Sequence, residues 1–448
     1  MPNEILRFPD GFTWGTATSA YQIEGAWNED GRGPSIWDTF CRQPGKVWQG
    51  HNGDVAADHY HRWPEDVELM AELGLKAYRF SIAWPRVMPS GMNPVNQAGL
   101  DFYDRLVDAL LDRGIEPWVN LYHWDLPQAL QDRGGWTKRE TAERFAEYAG
   151  VVAARLGDRV TRWITHNEPF VAVILGHFSG EHAPGTKNPL NAAWAYRHLM
   201  LSHGLAAEAL RAAAGRPIQV GIVLNLNPVH PASDAKEDER AARRYDGLLN
   251  RMFLDPLLRG RLPADIEKMF GLLFKISAED LRTIATPVDF LGVNYYTRTV
   301  VRHDKAVPFV QASEVRPEGN EYSQMWEIYP AGLHELLARV WKEYKPAELY
   351  VTENGVPVPD TLEPDGRVHD VRRIAYLRDH IVQVHRAIAD GVPVRGYFVW
   401  SLLDNFEWAL GYQMRFGLAY VDFETRQRTM KDSGKWYAGV IARNGLEG

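Results

Sequence analysis

Several features that would mark the class of this 448-residue chain are missing from it. Its single cysteine, Cys41, excludes an intrachain disulfide. Residues 1–11 lack the apolar core of a secretory signal, and no run approaches the roughly 18 apolar residues of a membrane-spanning helix. No Asn-x-Ser/Thr glycosylation site occurs. These absences predict a cytoplasmic protein that has no membrane partner.

Basic residues and cofactor motifs are also scarce. The chain carries 50 Lys and Arg against 58 Asp and Glu, whereas a nucleic-acid-binding protein concentrates basic side chains. Neither G-x-G-x-x-G nor G-x-x-x-x-G-K opens a helical pattern. His59 and His61 lie near Asp58 without further candidate ligands, and H-E-x-x-H and paired cysteines are absent. We therefore expect no nucleic-acid partner, no metal and no other cofactor.

Aromatic residues, by contrast, are plentiful, and the chain contains 16 Trp. Aromatic faces stack on the C–H faces of sugar rings, so a carbohydrate-active protein is one interpretation. A large core that happens to contain many Trp is the other interpretation. The count alone does not decide between them.

Short segments rich in β-branched and aromatic residues alternate with helical patterns along the chain. The predicted strands are residues 12–17, 77–83, 117–122, 160–165, 219–224, 290–296, 348–352 and 394–400. They show little polar–apolar alternation, as expected of parallel strands buried on both faces. Eight strand–helix units predict an α/β fold, a closed (β/α)8 TIM barrel formed by residues 1–448 as one domain. The alternative is an open doubly wound sheet, which lacks its usual nucleotide-binding motif here.

Local signals also predict helix ends and loops. Thr137 followed by Glu140 predicts a capping box at a helix start, and Gly114 predicts the end of a helix over residues 98–113. The polar connections 303–324 and 355–370 follow predicted strands. We expect both to be long βα loops at the C-terminal face of the barrel, where the active sites of such barrels lie.

Two glutamates stand at the ends of predicted strands. Glu168 follows the fourth strand and Glu353 ends the seventh, so both are expected to face one cavity. Burying a glutamate without a purpose is costly, although each alone could be a structural ion-pair partner. Glycoside cleavage needs such a pair, because one carboxylic acid protonates the leaving oxygen and one carboxylate attacks the anomeric carbon or activates water. Their separation decides between retention and inversion, and barrel geometry alone leaves that open.

The chain resembles glycoside hydrolase family one, the β-glucosidase family of retaining enzymes, over essentially its whole length. The motifs that carry the resemblance are Phe8-Pro9-Asp10-Gly11-Phe12, Tyr21-Gln22-Ile23-Glu24-Gly25, Asn167-Glu168-Pro169, Thr352-Glu353-Asn354-Gly355 and Trp400-Ser401-Leu402-Leu403-Asp404-Asn405-Phe406-Glu407-Trp408. The family fold is a (β/α)8 barrel. The resemblance implies hydrolysis of terminal β-D-glucosyl residues by double displacement through a covalent glycosyl-enzyme. It also implies β-glucosides and cello-oligosaccharides as substrates, with β-galactosides and β-fucosides accepted too.

The resemblance implies roles for the residues around the reacting bond. Glu168 matches the family acid/base and Glu353 the nucleophile. Arg79 would keep Glu353 ionised, and the charge of Glu353 would raise the pKa of Glu168. Tyr296 would donate a hydrogen bond to Glu353, and Asn167 would bind the 2-hydroxyl of the sugar.

Further matches outline a sugar pocket. The residues expected to hydrogen-bond the sugar are Gln22, His123, Glu407 and Trp408. The stacking floor would be Trp400, and its walls would be Trp124 and Phe416. Trp326 matches the aglycone-side platform, and Asn294 is a further substrate-binding match. Asn294 and Tyr296 are two apart on a strand and share a face, which favours Tyr296 over Tyr295 as the partner of Glu353.

The sequence also departs from the family pattern and leaves alternatives. His166 stands where apolar residues or Phe are common, which predicts an indirect effect on a pKa in the site. Phe170 replaces a frequent Trp, which puts part of the aglycone contact in doubt. A 6-phospho-β-glycosidase is disfavoured because the retained Glu407 would repel a 6-phosphate. A sugar-binding protein without catalysis is disfavoured by the intact pair of glutamates. The sequence leaves open whether the chain forms a homo-oligomer.

Overall fold

The computed structural model describes residues 5–271 and 275–447; residues 1–4 of the polar amino-terminal segment lie outside this range. Its centre is a closed barrel of eight parallel strands, in chain order around the barrel. The strands are β1 Thr13–Ala17, β2 Ala77–Ser81, β3 Glu116–Asn120, β4 Arg162–Asn167, β5 Gln219–Asn225, β6 Phe290–Asn294, β7 Leu349–Asn354 and β8 Val394–Trp400. The predicted (β/α)8 barrel is confirmed. That residues 1–448 form one domain stays a prediction.

Helices follow the strands and cover the outside of the barrel. In the described part of the chain, the longer helices are α1 His59–Glu72, α2 Gln97–Asp112, α3 Arg139–Leu156, α4 Pro189–Ala213, α5 Lys236–Asp246, α6 Met252–Arg259, α7 Ala264–Phe270, α8 Ala278–Ile284, α9 Ala331–Tyr344, α10 Val371–Ala389 and α11 Asp432–Arg443. Within residues 5–271 and 275–447, no helix combines the length and the apolar character that crossing a membrane requires.

The predicted helix ends are partly right. Helix α2 ends at Asp112, and Gly114 beyond it has a φ of +69°, a conformation that favours glycine. The predicted capping box is wrong, because α3 begins at Arg139 after Lys138. The Thr137 hydroxyl instead donates to the carbonyl of Gly134, in a short 3-10 turn that precedes the helix.

Apolar side chains fill the N-terminal half of the barrel interior. A buried cluster takes one residue from each of the seven strands β2 to β8 and consists of Ala77, Trp118, Ile164, Val223, Phe290, Tyr350 and Phe398. The ring of Trp118 lies 4.7 Å from that of Tyr350 and 5.0 Å from that of Phe398. On β1, Gly15 leaves the space that Phe398 occupies, since a Cβ there would lie 2.4 Å from its ring. Polar side chains that point inward therefore gather above this apolar layer, at the C-terminal end.

Two strands that carry predicted catalytic residues are irregular. The pairing of β4 with β5 shifts register between Ile164 and Asn167, and the pairing of β7 with both of its neighbours shifts after Val351. Such irregularities interrupt the two-residue alternation of side chains and redirect them. As a result, Asn167 points into the barrel although it is an odd number of residues from the inward-facing Ile164.

Short strands lie outside the barrel. Val229–Pro231, Thr299–His303 and Ala312–Glu314 form a three-stranded sheet, so the connection predicted as a loop over 303–324 contains a strand. Ile5–Arg7 pairs antiparallel with Gly445–Glu447. Asn444 accepts a hydrogen bond from the indole of Trp14, the second residue of β1. The paired ends of the chain therefore lie at the N-terminal face of the barrel.

Candidate active site

Both carboxylate oxygens of Glu353 receive a hydrogen bond. Arg79 donates from Nη1 to Oε1 at 2.6 Å, and the Tyr296 hydroxyl donates to Oε2 at 2.6 Å. The side chains of Arg79 and Glu353 are 1% and 4% exposed, so water screens this ion pair little. Tyr295 points elsewhere and donates to the carbonyl of Tyr329. The two-residue spacing from Asn294 thus identified the correct tyrosine.

Glu168 belongs to the same hydrogen-bonded group but has a different environment. Its side chain is buried, and its Oε1 receives a hydrogen bond of 2.7 Å from Nδ2 of Asn294. Burial raises the pKa of Glu168, and the negative charge of Glu353 raises it further. The hydrogen bond from Asn294 and the charge of Arg79 act in the opposite direction. Glu168 has a φ of +48°, an uncommon conformation for a residue other than glycine.

Asn167 connects the two glutamates through its side chain. Its Oδ1 accepts from Nη2 of Arg79 at 2.5 Å and from Nδ2 of Asn294 at 3.0 Å. Its Nδ2 lies 3.1 Å from Nε2 of His123. Burial and the charge of Arg79 lower the pKa of His123 well below its usual range, so the ring is neutral and accepts this hydrogen bond.

A second polar group lies beside the loop that follows β8. Nε2 of Gln22 donates to the carbonyl of Phe406 at 2.9 Å and to Oδ1 of Asn405 at 3.0 Å, and lies 3.5 Å from Oε2 of Glu407. Burial and the charge of Glu353 raise the pKa of Glu407 to about 8. Gln22 and Glu407 therefore stand together, as a sugar-binding pair would require.

Aromatic rings pack beside these polar groups. The rings of Trp124 and Trp408 lie 4.6 Å apart, and the ring of His123 stacks on Trp400 at 5.8 Å. The indole of Trp124 donates to the carbonyl of Asn167 at 2.9 Å. Rings of this kind offer flat apolar surfaces next to hydrogen-bonding groups, which suits a sugar ring.

On the other side, Trp326 packs against Tyr296 at 4.8 Å and against Phe416 at 6.0 Å. Every predicted site residue thus contacts another or, as with Glu407 and Trp408, adjoins one in the chain. These residues are Gln22, Arg79, His123, Trp124, Asn167, Glu168, Asn294, Tyr296, Trp326, Glu353, Trp400, Glu407, Trp408 and Phe416.

The two departures from the family pattern have different outcomes. His166 turns out of the barrel, stacks on Phe145 at 4.6 Å and bonds to Ser202 at 2.8 Å. The register shift in β4 explains this direction, and an indirect effect of His166 on a pKa in the site stays a prediction. Phe170 is half-buried and packs edge-on against Phe253 at 6.1 Å.

Some residues that hold the site were missed at the sequence level. Thr352 donates to Oδ1 of Asn294 at 2.8 Å, and Ser19 donates to Oε1 of Gln22 at 2.6 Å. Asn405 accepts from Gln22. Thr352 and Asn405 lie within motifs that the sequence already displays, beside the glutamates that drew attention. Ser19 precedes Gln22 by three residues, and no sequence signal distinguishes it.

Buried charges anchor the loop over residues 401–417, which carries Glu407 and Trp408. Asp404 is fully buried and accepts from Nζ of Lys431 at 2.7 Å, from Nη1 of Arg415 at 2.6 Å and from the amide of Gly417 at 2.9 Å. Lys431 lies outside the loop, and Arg415 and Gly417 lie near its far end, so these bonds tie the two ends of the loop to each other and to the rest of the chain.

Replacing Asp404 by asparagine is expected to lower the free energy of unfolding by about 3–5 kcal/mol, because Lys431 loses a buried charge partner. Urea unfolding followed by circular dichroism measures the change. Asp379→Asn is the matched control, since Asp379 pairs with Arg378 on the surface and its loss should cost less than about 0.5 kcal/mol. A loss at Asp404 no larger than the control would contradict the anchoring role.

The histidines considered as metal ligands have other partners. His59 bonds to Asp66 at 2.7 Å, and His61 bonds to Asp58 at 2.6 Å and to Glu29 at 3.1 Å. In the part of the chain that the structure describes, no three His, Cys, Asp or Glu side chains group in a way that could hold a metal ion.

Comparisons with known proteins agree with this geometry. The profile of glycosyl hydrolase family 1 matches residues 5–446. Beta-glucosidase A of Acetivibrio thermocellus is 47% identical over 446 residues, covering 98% of this chain and 99% of the relative. The bifunctional beta-D-glucosidase/beta-D-fucosidase of Bifidobacterium breve is 47% identical over 463 residues, covering 98% of both. The structure of the family 1 β-glucosidase from Thermotoga maritima in complex with isofagomine lactam superimposes with a TM-score of 0.96, at 48% identity, over 99% of this chain and 100% of that one.

Proposed function

The chain belongs to glycosyl hydrolase family 1, and from that premise we propose that it hydrolyses terminal β-D-glucosyl residues with retention of configuration. The observation that carries the proposal is the contrast between two carboxyl groups in one cavity. Glu353 pairs with Arg79 and receives the Tyr296 hydroxyl, as a carboxylate would. Glu168 is buried with a raised pKa, as a proton donor would be.

In the first half of the reaction, Glu353 attacks the anomeric carbon. The bond between that carbon and the aglycone oxygen breaks, and Glu168 gives its proton to the departing oxygen. The product is a glycosyl ester of Glu353. The proposed role of Asn167 is to donate to the 2-hydroxyl, a contact that strengthens as the ring gains oxocarbenium character.

In the second half, water enters where the aglycone left. Glu168, now a carboxylate, takes a proton from this water as its oxygen attacks the anomeric carbon. The ester bond to Glu353 breaks, and both glutamates return to their starting protonation states. Two inversions at the anomeric carbon give net retention. Arg79 and Tyr296 recover their charged partner at the end of the cycle.

The pocket supports an unphosphorylated substrate. Gln22 and Glu407 offer hydrogen-bonding groups to the hydroxyls of the sugar, and neither side chain is a cation that would bind a 6-phosphate. We also propose that β-galactosides and β-fucosides are accepted. The relative from Bifidobacterium breve is named for both glucosidase and fucosidase activity, which supports this wider range.

We further propose a cytoplasmic location and a role in the degradation of cello-oligosaccharides. Cys41 is a free, buried thiol in this structure, which fits a reducing compartment. Trp326, packed on Tyr296, would support the second glucosyl unit of a cello-oligosaccharide as the aglycone-side platform.

A panel of nitrophenyl glycosides tests the proposal. We expect wild-type protein to hydrolyse the β-glucoside and the β-galactoside but not the 6-phospho-β-glucoside, and Glu353→Ala to hydrolyse none. Absence of turnover of every substrate by wild-type protein would overturn the enzymatic assignment. Turnover of the phosphorylated substrate alone would favour a 6-phospho-β-glycosidase instead. Retention is read from the anomer first released, by proton NMR.

The activity should fall at alkaline pH because Glu168 must be protonated in the first half of the reaction. Its pKa is raised, so kcat/KM should stay high above the usual titration range of glutamate and fall as pH rises through that raised pKa. The pH profile of kcat/KM for nitrophenyl β-glucoside measures this. In Glu168→Gln, assayed with a dinitrophenyl glucoside that needs no acid, the alkaline decrease should disappear. An unchanged decrease would assign it to another group.

A further inference from the structure

Asn294 contacts the proposed acid/base carboxyl directly, although the family resemblance places it only in the sugar pocket. Its Nδ2 lies 2.7 Å from Oε1 of Glu168. Asn294 ends β6, whereas Glu168 directly follows β4, and β5 lies between these two strands. We propose that Asn294 is a positioning residue for Glu168, and that Arg79 and Thr352 fix its amide so that the N–H faces the carboxyl. This inference rests on the proposed role of Glu168.

The direction of the Asn294 amide follows from Arg79, whose guanidinium can only donate. Arg79 donates to Oδ1 of Asn167, so that oxygen is an acceptor. The same oxygen lies 3.0 Å from Nδ2 of Asn294, which must therefore be the donor. A reversed Asn294 amide would turn its oxygen toward the acceptor oxygen of Asn167.

Thr352 stabilises the same orientation from the other side. Its hydroxyl lies 2.8 Å from Oδ1 of Asn294 and donates to it. Asn294 and Thr352 are buried, at 1% and 0% exposure, so water does not replace these hydrogen bonds. The amide is thereby held by hydrogen bonds at both of its polar atoms before substrate arrives.

An N–H aimed at a carboxyl oxygen favours the charged form of that carboxyl. Around Glu168, Glu353 and Glu407 favour the neutral form, whereas Arg79 and Asn294 favour the charged form. The hydroxyl of Tyr296 is engaged by Glu353, and the ring of His123 is neutral. Arg79 acts on Glu168 through its charge, whereas Asn294 is neutral and acts through a direct hydrogen bond.

This arrangement matters because Glu168 acts twice, first as an acid and then as a base. Burial and Glu353 alone would hold the proton too firmly for the first role and would oppose the charged form needed for the second. The N–H of Asn294 favours the charged form of Glu168 and so weakens this preference for the protonated form. Removing it should therefore strengthen proton retention by Glu168 and slow the departure of aglycones that need protonation.

Asn294→Ala tests the inference through the pH profile. The alkaline decrease of kcat/KM for nitrophenyl β-glucoside should move upward by about one pH unit, because one hydrogen bond to the charged form is lost. The rate should also depend more steeply on the leaving group than in wild-type protein. An alkaline decrease at the wild-type pH, with an equal loss for all leaving groups, would overturn the inference and leave Asn294 as a sugar-binding residue.

Thr352 provides a conservative pair of variants. Thr352→Val removes the hydroxyl that bonds Asn294 and should move the alkaline decrease in the same direction by a smaller amount. Thr352→Ser keeps the hydroxyl and should match wild-type protein. If both variants match wild-type protein, Thr352 has no part in fixing Asn294.

A titration without turnover separates this inference from the proposed function. Protein labelled with carbon-13 at glutamate carboxyls, with the Glu168 signal assigned by Glu168→Gln, reports the pKa of Glu168 directly. The signal should titrate at higher pH in Asn294→Ala and, if that variant does not fold, in Asn294→Ser. An unmoved titration overturns the role of Asn294. The proposed function fails separately, if Glu168→Ala loses the same activity on all leaving groups.

Discussion

Glu353→Gly is expected to lose nearly all turnover and to regain it with azide, giving a product of inverted configuration. Removing a nucleophile should lower kcat by on the order of 10⁴-fold or more. Azide is small and anionic, so it can occupy the space beside Arg79 that the carboxylate leaves. It then attacks the anomeric carbon once, and no second displacement follows. Proton NMR of the glycosyl azide should show the α-anomer.

The ion pair of Arg79 with Glu353 determines both the loss of stability expected in this variant and the choice of its control. Without Glu353, the buried guanidinium of Arg79 keeps Asn167 as a partner but loses its carboxylate, so stability should fall. Glu353→Gln preserves the shape and should be equally inactive without being rescued, because the amide fills the space that azide needs. A β-glycosyl azide from Glu353→Gly would refute the assignment of Glu353 as nucleophile.

Glu168→Ala is expected to separate substrates by their leaving groups. General acid catalysis contributes about 10²–10⁴-fold, and a dinitrophenolate leaves without a proton. Formation of the glycosyl-enzyme from dinitrophenyl glucoside should therefore be spared, whereas cellobiose hydrolysis should fall by about that factor. Stopped-flow release of the phenolate and a coupled glucose assay measure the two. An equal loss on both substrates would contradict the acid assignment.

Azide should act on Glu168→Ala with the opposite stereochemistry. In this variant Glu353 still forms the ester, and water attacks it slowly because its base is missing. Azide needs no base, so it should accelerate turnover and give the β-glycosyl azide, the retained product. The two variants thus form a matched pair in which the same anion reports by its stereochemistry which carboxylate is absent. An α-product from Glu168→Ala would reverse the two roles.

The barrel could be predicted because the composition of the strand segments and their spacing along the chain indicate it. Each predicted strand overlaps an observed one, since parallel strands buried on both faces consist of apolar, β-branched and aromatic runs. Tyr296 was identified because alternation holds from Asn294 onward. The predicted capping box at Thr137 was wrong, because the Thr137 hydroxyl donates to the carbonyl of Gly134 in the turn that precedes α3.

Alternation fails in β4 and β7, the strands that carry Asn167 and Glu353, and this limits what a sequence can say about the site. Counting by two from Ile164 would point His166 inward, but the register shift turns it out toward Phe145. The bond from Asn294 to Glu168 depends on the distance between the ends of two non-adjacent strands. No local pattern encodes that distance. The motifs could therefore single out Glu168 and Glu353 as candidates but not the network of hydrogen bonds around them.

The antiparallel pairing of Ile5–Arg7 with Gly445–Glu447 has a practical consequence. Asn444, which precedes the second of these strands, bonds to Trp14 at the start of β1, so both strands lie at the face opposite Glu168 and Glu353. A solid support or an electrode attached through a residue introduced in either strand would therefore leave the opening of the pocket turned toward bulk solution. Immobilised in this orientation, the catalyst should keep its access to bulky oligosaccharides, whereas random coupling through surface lysines would block a fraction of the molecules.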